Sequence, residues 1–398
     1  MFLVDVIAGI LFGFVLGLIP SLHINLVGYL FFLFGIFIFF RNHFYFFFSL
    51  CISQTLTSIV PSFIFYTPTH DTLISPFIGQ LESLKITLLE YFSLSFFGFL
   101  LGAFFAVLFL PIFYLLFVMF SDFYILIFIV LLLVLIFLIF QENYWQSRGL
   151  VFSIVVFSGV LGIFTLKYNF FFKEPLIPCI FGLFAFPNIL VILFSDSKGQ
   201  EKSSPSVQEI ISFKDVVNSS FLGTLFSSTI AIFPSLSPGL AMSFASFFQK
   251  KISSKKTIVM FSSILSSVLL IYFFLSVVFN KHRLGFLSML STNQIFPKMV
   301  LSDIFFMSFV FLLVVGLTVF IIYSSIDTII FFLNRFDKRN ILFCVSTFSI
   351  LLIFWFCGLA GVFLLLVSTA IGFLPIVYNK NRLALMSYLI IPTVLFFV

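Results

Sequence analysis

Charge is what this sequence has least of. Asp, Glu, Lys and Arg together make up 9% of its 398 residues, against about 25% in ordinary soluble domains. A water-soluble globule of this length could not be covered with so little polar surface. Only 4 cysteines occur; Cys51, Cys179, Cys344 and Cys357 are scattered through apolar sequence with no CxxC pair. That excludes a structural zinc site or a disulfide framework and leaves small buried side chains. The 4 histidines include no two at i, i+4 beside a glutamate, the ligand spacing a metal-dependent intramembrane hydrolase calls for. No acidic cluster for Mg²⁺-bound phosphates stands out among the 14 Asp and Glu. The chain is therefore not read as an enzyme, and no cofactor or metal is expected. A formal charge of +6 does not mark a nucleic-acid binder, because the basic residues lie in short loops between apolar runs. Residues 1–19 lack a basic n-region and carry Asp5 instead, so they read as a helix that stays in the protein.

What is there is hydrocarbon. The chain is 62% hydrophobic with 69 phenylalanines, and its mean hydropathy is +1.28. Apolar stretches of about 18 or more residues recur, each long enough at ~1.5 Å per residue to cross a ~30 Å hydrocarbon core. Membrane-barrel strands would alternate in short segments instead. The fold class is an all-α polytopic membrane protein in the cell membrane. The phenylalanine excess is read as lipid-facing bulk.

Two polar interruptions organise the chain. "LIPSLHINL" (18–26) breaks an apolar run reaching from about Val6 to Phe40, and "IFPSLSPGL" (232–240) breaks another. Setting Pro20 on Pro234, an offset of 214, also places Gly9 on Gly223, Leu22 on Leu236 and Leu26 on Leu240. Candidate spans at 44–66, 91–119, 123–140, 149–166 and 175–194 then fall close to others at 257–279, 298–323, 341–358, 360–378 and 383–398. Each half reads as one broken hairpin plus about five transmembrane helices. The division is a first membrane repeat over 1–194, a polar linker over 195–215 and a second repeat over 216–398. An odd number of crossings per half inverts the second copy, the inverted-topology repeat of secondary transporters. Placing "KKISSKK" (250–256) in the cytoplasm brings the linker, "NRFDKR" (334–339) and "NKNR" (379–382) to that side. Arg41, Lys167, Lys173, Lys281 and Arg283 run against the bias.

At the second break 16 residues (216–231) precede the prolines and 10 (239–248) follow them, the latter too short to cross a bilayer at ~1.5 Å per residue. The segment is expected to enter and turn back. Non-helical backbone at membrane depth is tolerated only where protein buries it or a wet cavity adjoins it. Pro234 and Pro238 end the helix and Gly239 permits close backbone approach; Ser235 and Ser237 are expected to cap the returning helix. Helix N-termini facing one another suit a carboxylate or phosphate. The expected substrate-lining residues are Pro20, Ser21, His23, Asn25, Pro234, Ser235, Ser237, Pro238 and Gly239. Taken singly, each break also reads as a proline kink whose polar residues bridge neighbouring helices. Gly13 and Gly17 read as close helix packing, and Arg283 as a helix cap, with attraction of an anion as its alternative role.

"GFVLGLIPSLHINLVGYL" (13–30) resembles the archaeal branch of the tripartite tricarboxylate transporter large membrane subunit family, whose pattern is Gly-x-x-x-Gly-x-x-Pro-Gly-x-His-x-Asn. Gly13, Gly17, Pro20, His23 and Asn25 match it. "LTSIVPSFIFYTPTHDTLIS" (56–75) is similar to a second stretch of that branch through Pro61, Ser62, Phe63, Phe65, Pro68, Asp71 and Thr72. Weaker matches are "GLFAFP" (182–187), "FPSLSPG" (233–239), "NKHRLG" (280–285) and "STAIGFLP" (368–375). The chain departs where the family's glycine after the proline is Ser21, with Ser235 in the equivalent place. The resemblance implies a permease for di- or tricarboxylates. It works by alternating access with a small membrane subunit and a binding protein. Beside the site Thr67, Thr69, Asp71 and Thr72 form a next layer, with Asp71 the residue for a coupling Na⁺ or H⁺. Distant relatives with similar repeats move polyprenyl phosphate, so a lipid phosphate is the alternative cargo, and a non-transporting membrane scaffold is the alternative outside transport.

Overall fold

The computed structural model describes residues 2–20, 22, 24–33, 35, 42–65, 87–120, 123–167, 174–194, 211–248, 253–292, 301–335 and 337–397. Among these every regular element is helical. In the first half they are α1 (Phe2–Gly17), α2 (Ile24–Leu33), α3 (His43–Phe65), α4 (Leu88–Phe120), α5 (Tyr124–Phe140), α6 (Trp145–Lys167) and α7 (Leu176–Phe194). The second half has α8 (Phe213–Ile232), α9 (Pro238–Phe248), α10 (Ser254–Phe279), α11 (Gly285–Thr292), α12 (Leu301–Asn334), α13 (Lys338–Val377) and α14 (Arg382–Val394). Seven of these helices are long and apolar enough to cross a membrane, so the chain is a polytopic membrane protein.

Local chemistry sets the helix ends. Ser212 and Asp215 form a reciprocal capping box that starts α8, which satisfies two otherwise orphaned amides. This moves the helix start to Phe213, inside the expected linker; residues 195–210 lie outside the described residues. α8 is 20 residues long, or ~30 Å at the usual rise, longer than the 216–231 expected from the sequence, while α9 has only 11. Asp5 lies on α1, yet its carboxylate accepts the Asn42 amide at 3.0 Å ahead of α3. Asn280 ends α10 in a left-handed conformation, φ 53°, which asparagine tolerates better than most residues. The expected spans 341–358 and 360–378 are two helical segments of α13 that meet at Gly358, where φ 64° and ψ −162° leave the helical region, so the backbone breaks where the sequence divides them. Essentially only glycine adopts that conformation cheaply.

α3 and α10 form the centre; the apolar window of α10 is 100% buried and that of α3 89%. Both are rich in serine, and their hydroxyls are satisfied at hand: Ser263 bonds the Met260 carbonyl at 2.7 Å, Ser267 that of Ser263 at 2.6 Å, and Ser53 that of Ile10 at 2.8 Å. Small side chains of this kind let helices approach closely where no hydrophobic drive separates protein from lipid. α1 lies so near α3 that a Cβ on Gly9 would fall 2.1 Å from Ser49 Oγ and 2.3 Å from the Phe46 carbonyl. The second half repeats the contact: a Cβ on Gly223 would fall 2.0 Å from Ser263 Oγ and 2.5 Å from the Met260 carbonyl. Residues 9, 46 and 49 plus 214 are 223, 260 and 263.

Beyond these pairs the halves exchange partners. α4 packs on α10 while α12 packs on α3, and α6 packs on α14 while α7 packs on α13. The exchange is uneven. A Cβ on Gly102 of α4 would meet Ser263 Cα at 2.6 Å, whereas Gly316 of α12, 214 residues later, has nothing within 4 Å. Ion pairs gather the starts of α4, α8 and α10: Lys255 pairs with Glu90, and Lys256 with Asp215 at 2.7 Å. A third joins the α5–α6 turn to the α13–α14 turn, Lys380 to Glu142 at 3.1 Å.

Candidate functional site

The second break runs from the end of α8 to the start of α9. Ser235 sits at φ 64°, left-handed backbone that costs a residue other than glycine ~1–2 kcal/mol. Its hydroxyl bonds Thr393 Oγ1 of α14. Thr393 gives its own hydrogen to the Leu389 carbonyl at 2.7 Å, so Ser235 is the donor. The Leu236 carbonyl accepts the Tyr272 hydroxyl at 3.3 Å. The Ser237 carbonyl receives the amides of Leu240 and Ala241 at 3.0 and 3.2 Å. Its side-chain hydroxyl is 3% exposed and has no partner. Neither serine hydroxyl caps α9, contrary to the sequence expectation: Ser235 is drawn to α14 and the Ser237 hydroxyl makes no bond. Pro234 is half-buried, and Pro238 and Gly239 are buried beside them.

At the first break Pro20 and Leu22 are buried. The Leu22 carbonyl accepts a hydrogen bond from Gln54 Nε2 at 2.6 Å. Leu22 and Leu236 are offset partners, so in both halves the leucine carbonyl of the break is held by a side chain of the central helix: Gln54 on α3, Tyr272 on α10. Asn25 opens α2, and its Oδ1 accepts the amide of Phe286 at 2.8 Å, in the first turn of α11. The Phe286 ring is fully buried. It occupies the space a side chain at position 28 would need, 2.4 Å from a Cβ on Gly28, and packs edge-on to Phe47 at 5.5 Å. Ser21 and His23 lie outside the described residues, as do Thr67, Thr69, Asp71 and Thr72.

One short segment joins the two breaks. Arg283 Nη2 donates to the Ile232 carbonyl at 2.7 Å, capping α8 as expected, and three residues later Phe286 meets Asn25. Three residues span at most ~10 Å of chain. The breaks, distant in sequence, thus converge on residues 283–286. Burial keeps His282 below the ordinary imidazole range. It also lowers Arg283, against an opposing influence from Tyr272, and a guanidinium remains charged throughout. Gln54, Tyr272, Phe286 and Thr393 escaped the sequence reading. Only Gln54, an amide inside an apolar span, left a signal there. Among the described residues no three of His, Cys, Asp and Glu are grouped to hold a metal. A pocket of about 400 Å³ lined by Leu190, Val191, Phe194 and Phe373 has no polar lining, so it offers nothing to recognise an anion.

No curated protein and no solved structure matches the chain. The family model of the tripartite tricarboxylate transporter TctA family matches residues 3–387, a span that includes both breaks, the segment between them and all the central helices. The chain therefore belongs to the tripartite tricarboxylate transporter TctA family, a family of membrane transport components.

Proposed function

We propose that this protein is a permease that carries an organic anion across the membrane by alternating access, holding it between the two broken segments. The observation that carries the reading is the convergence of both breaks on residues 283–286. Helix ends and side-chain donors from opposite halves of the chain meet there, where relative movement of the halves would alter the site. The residues assigned to the anion are Pro20, Ser21, His23 and Asn25 of the first half and Pro234, Ser235, Ser237, Pro238 and Gly239 of the second. The recurrence of helix pairs at an offset of 214 supports an inverted repeat with two re-entrant hairpins. Thr67, Thr69, Asp71 and Thr72 form the coupling layer, taking Na⁺ or H⁺. Membership of a tripartite family supports a small membrane subunit and a binding protein as partners. The basic ends gathered at Lys255, Lys256 and Lys380 support a cytoplasmic position for those turns.

Solute counterflow tests the reading, because it needs neither a driving gradient nor a binding protein. Proteoliposomes loaded with an unlabelled carboxylate or phosphate anion that the protein carries are expected to accumulate the same labelled anion transiently. Absence of counterflow for dicarboxylates, tricarboxylates and short polyprenyl phosphates alike overturns transport and favours a scaffold.

A further inference from the structure

Arg283 is a half-buried cation at the meeting point of the two breaks, and among the described residues no carboxylate pairs with it. One N–H is used on the Ile232 carbonyl; its Nε is enclosed and has no acceptor. Tyr272, whose hydroxyl holds Leu236, lies near enough to act on the Arg283 charge, which ties the guanidinium to the residue next to Ser237. The Ser237 hydroxyl is enclosed and idle as well. Thr57, Ser95, Ser220 and Ser266 also have unpartnered hydroxyls, but they lie within helices, where a rotated hydroxyl reaches the i−4 carbonyl. Ser237 precedes α9 and has no such carbonyl. Two enclosed donors, one of them charged, are costly to leave unmade. Their missing complement is the oxygen of an anion at the start of α9.

Among the described residues the charge available there is small. Lys281 is exposed, and burial lowers His282 from the ordinary imidazole range. The neighbouring groups that reach this segment from α2, α8 and α10 are Asn25, the Ile232 carbonyl and Tyr272, all neutral. We propose that Arg283 and Ser237 bind the anion directly, and that its head carries a single negative charge, as a hydrogen phosphate monoester or a monocarboxylate does, in place of a tricarboxylate. A second or third charge would be buried with no further cation among the described residues to pair with it. This inference rests on the anion-permease reading above.

The test is equilibrium binding to the full chain in nanodiscs at about pH 5.5, below the second phosphate pKa of about 6. The probes are methyl phosphate and farnesyl phosphate, which share a head, and citrate. Both phosphates, or farnesyl phosphate alone if the cargo is a lipid, are expected to bind roughly tenfold or more tighter than citrate. Arg283→Gln is expected to weaken that binding by a similar factor, and Arg283→Lys by less. Ser237→Ala, which removes no bond of the fold, is expected to weaken it too, and covers the case in which Arg283→Gln does not fold. Tighter binding of citrate overturns the single-charge head. Unchanged affinity in Arg283→Gln and Ser237→Ala overturns the site while leaving an anion permease standing. Failure of both phosphates to bind overturns the proposal, while counterflow of another anion keeps the permease reading.

Discussion

Gly358 has open space where a Cβ would sit, with nothing within 4 Å, and a backbone at φ 64° and ψ −162°. Gly358→Ala therefore meets no neighbour, and its cost is backbone strain alone, about 1–3 kcal/mol. Gly316→Ala has the same open space on helical backbone and is expected to lose nothing. Thermal melts of the two variants side by side check this; equal melting temperatures would refute the strain. Ser237→Ala is expected to raise stability in the absence of ligand, since it removes an enclosed hydroxyl whose desolvation costs about 1–3 kcal/mol and breaks no bond. A lower melting temperature without ligand would show that the hydroxyl has a partner in the fold. At this scale the sequence marks positions but not pairings. Ser235 and Ser237 look alike in "PSLSPG", and what separates them is Thr393, 158 residues from Ser235. Asn25 is legible as a polar group at a break, whereas its bond to the Phe286 amide needs the chain to fold back across 261 residues.

Helices were the most legible level, because their signal is local: apolar length, prolines and repeated blocks. α4, α5, α6 and α7 fall within a few residues of the expected spans for that reason. α8 begins earlier because a capping box outweighs the polarity of Phe213–Asp215. The boundary between the spans 341–358 and 360–378 was legible as well, since the backbone leaves the helix at Gly358. Close approach at the glycines yields a matched pair of tests. Gly9→Val and Gly223→Val each drive a side chain into a backbone carbonyl on the next helix; each is expected to cost about 1–3 kcal/mol or more, read as a lower melting temperature. A loss at Gly9 with none at Gly223 would refute the equivalence of the two helix pairs. The start of α8 carries a pH dependence. Its Asp215 carboxyl is lowered to about 2, first by Lys256 and then by Ser212, from an unfolded value near 4. A carboxylate lowered in the folded state stabilises above its unfolded pKa, and that contribution is lost as pH falls through about 4 towards about 2. Melting temperatures of the protein and of Asp215→Asn are therefore expected to differ near neutral pH and to approach one another in that window. A difference constant across the window would rule the carboxylate out.

Across the whole molecule, the family and the membrane setting were open to sequence reading, the first through the motifs at 13–30 and 56–75 and the second through composition. The exchange of partners was not: no residue in α4 announces that its glycines will meet α10 rather than α3. Only the converging breaks hint that the halves must interlock. A consequence is that neither half can close its own core. Residues 1–194 expressed alone are expected to aggregate or be degraded, while co-expressed with 195–398 they are expected to co-purify with it. A stable, monodisperse first half on its own would refute the exchange.

The same arrangement bears on how the protein is made. When α3 and α4 leave the ribosome, α12 and α10, which will pack on them from the second half, have yet to be translated, and they follow only after the polar stretch at 195–210. During that interval the serine- and glycine-lined faces of the first half must lie against lipid or against an insertion factor. Assembly of this membrane protein is in that sense post-translational for its first half, and a ribosome that stalls within α8 leaves behind an open bundle rather than half a transporter.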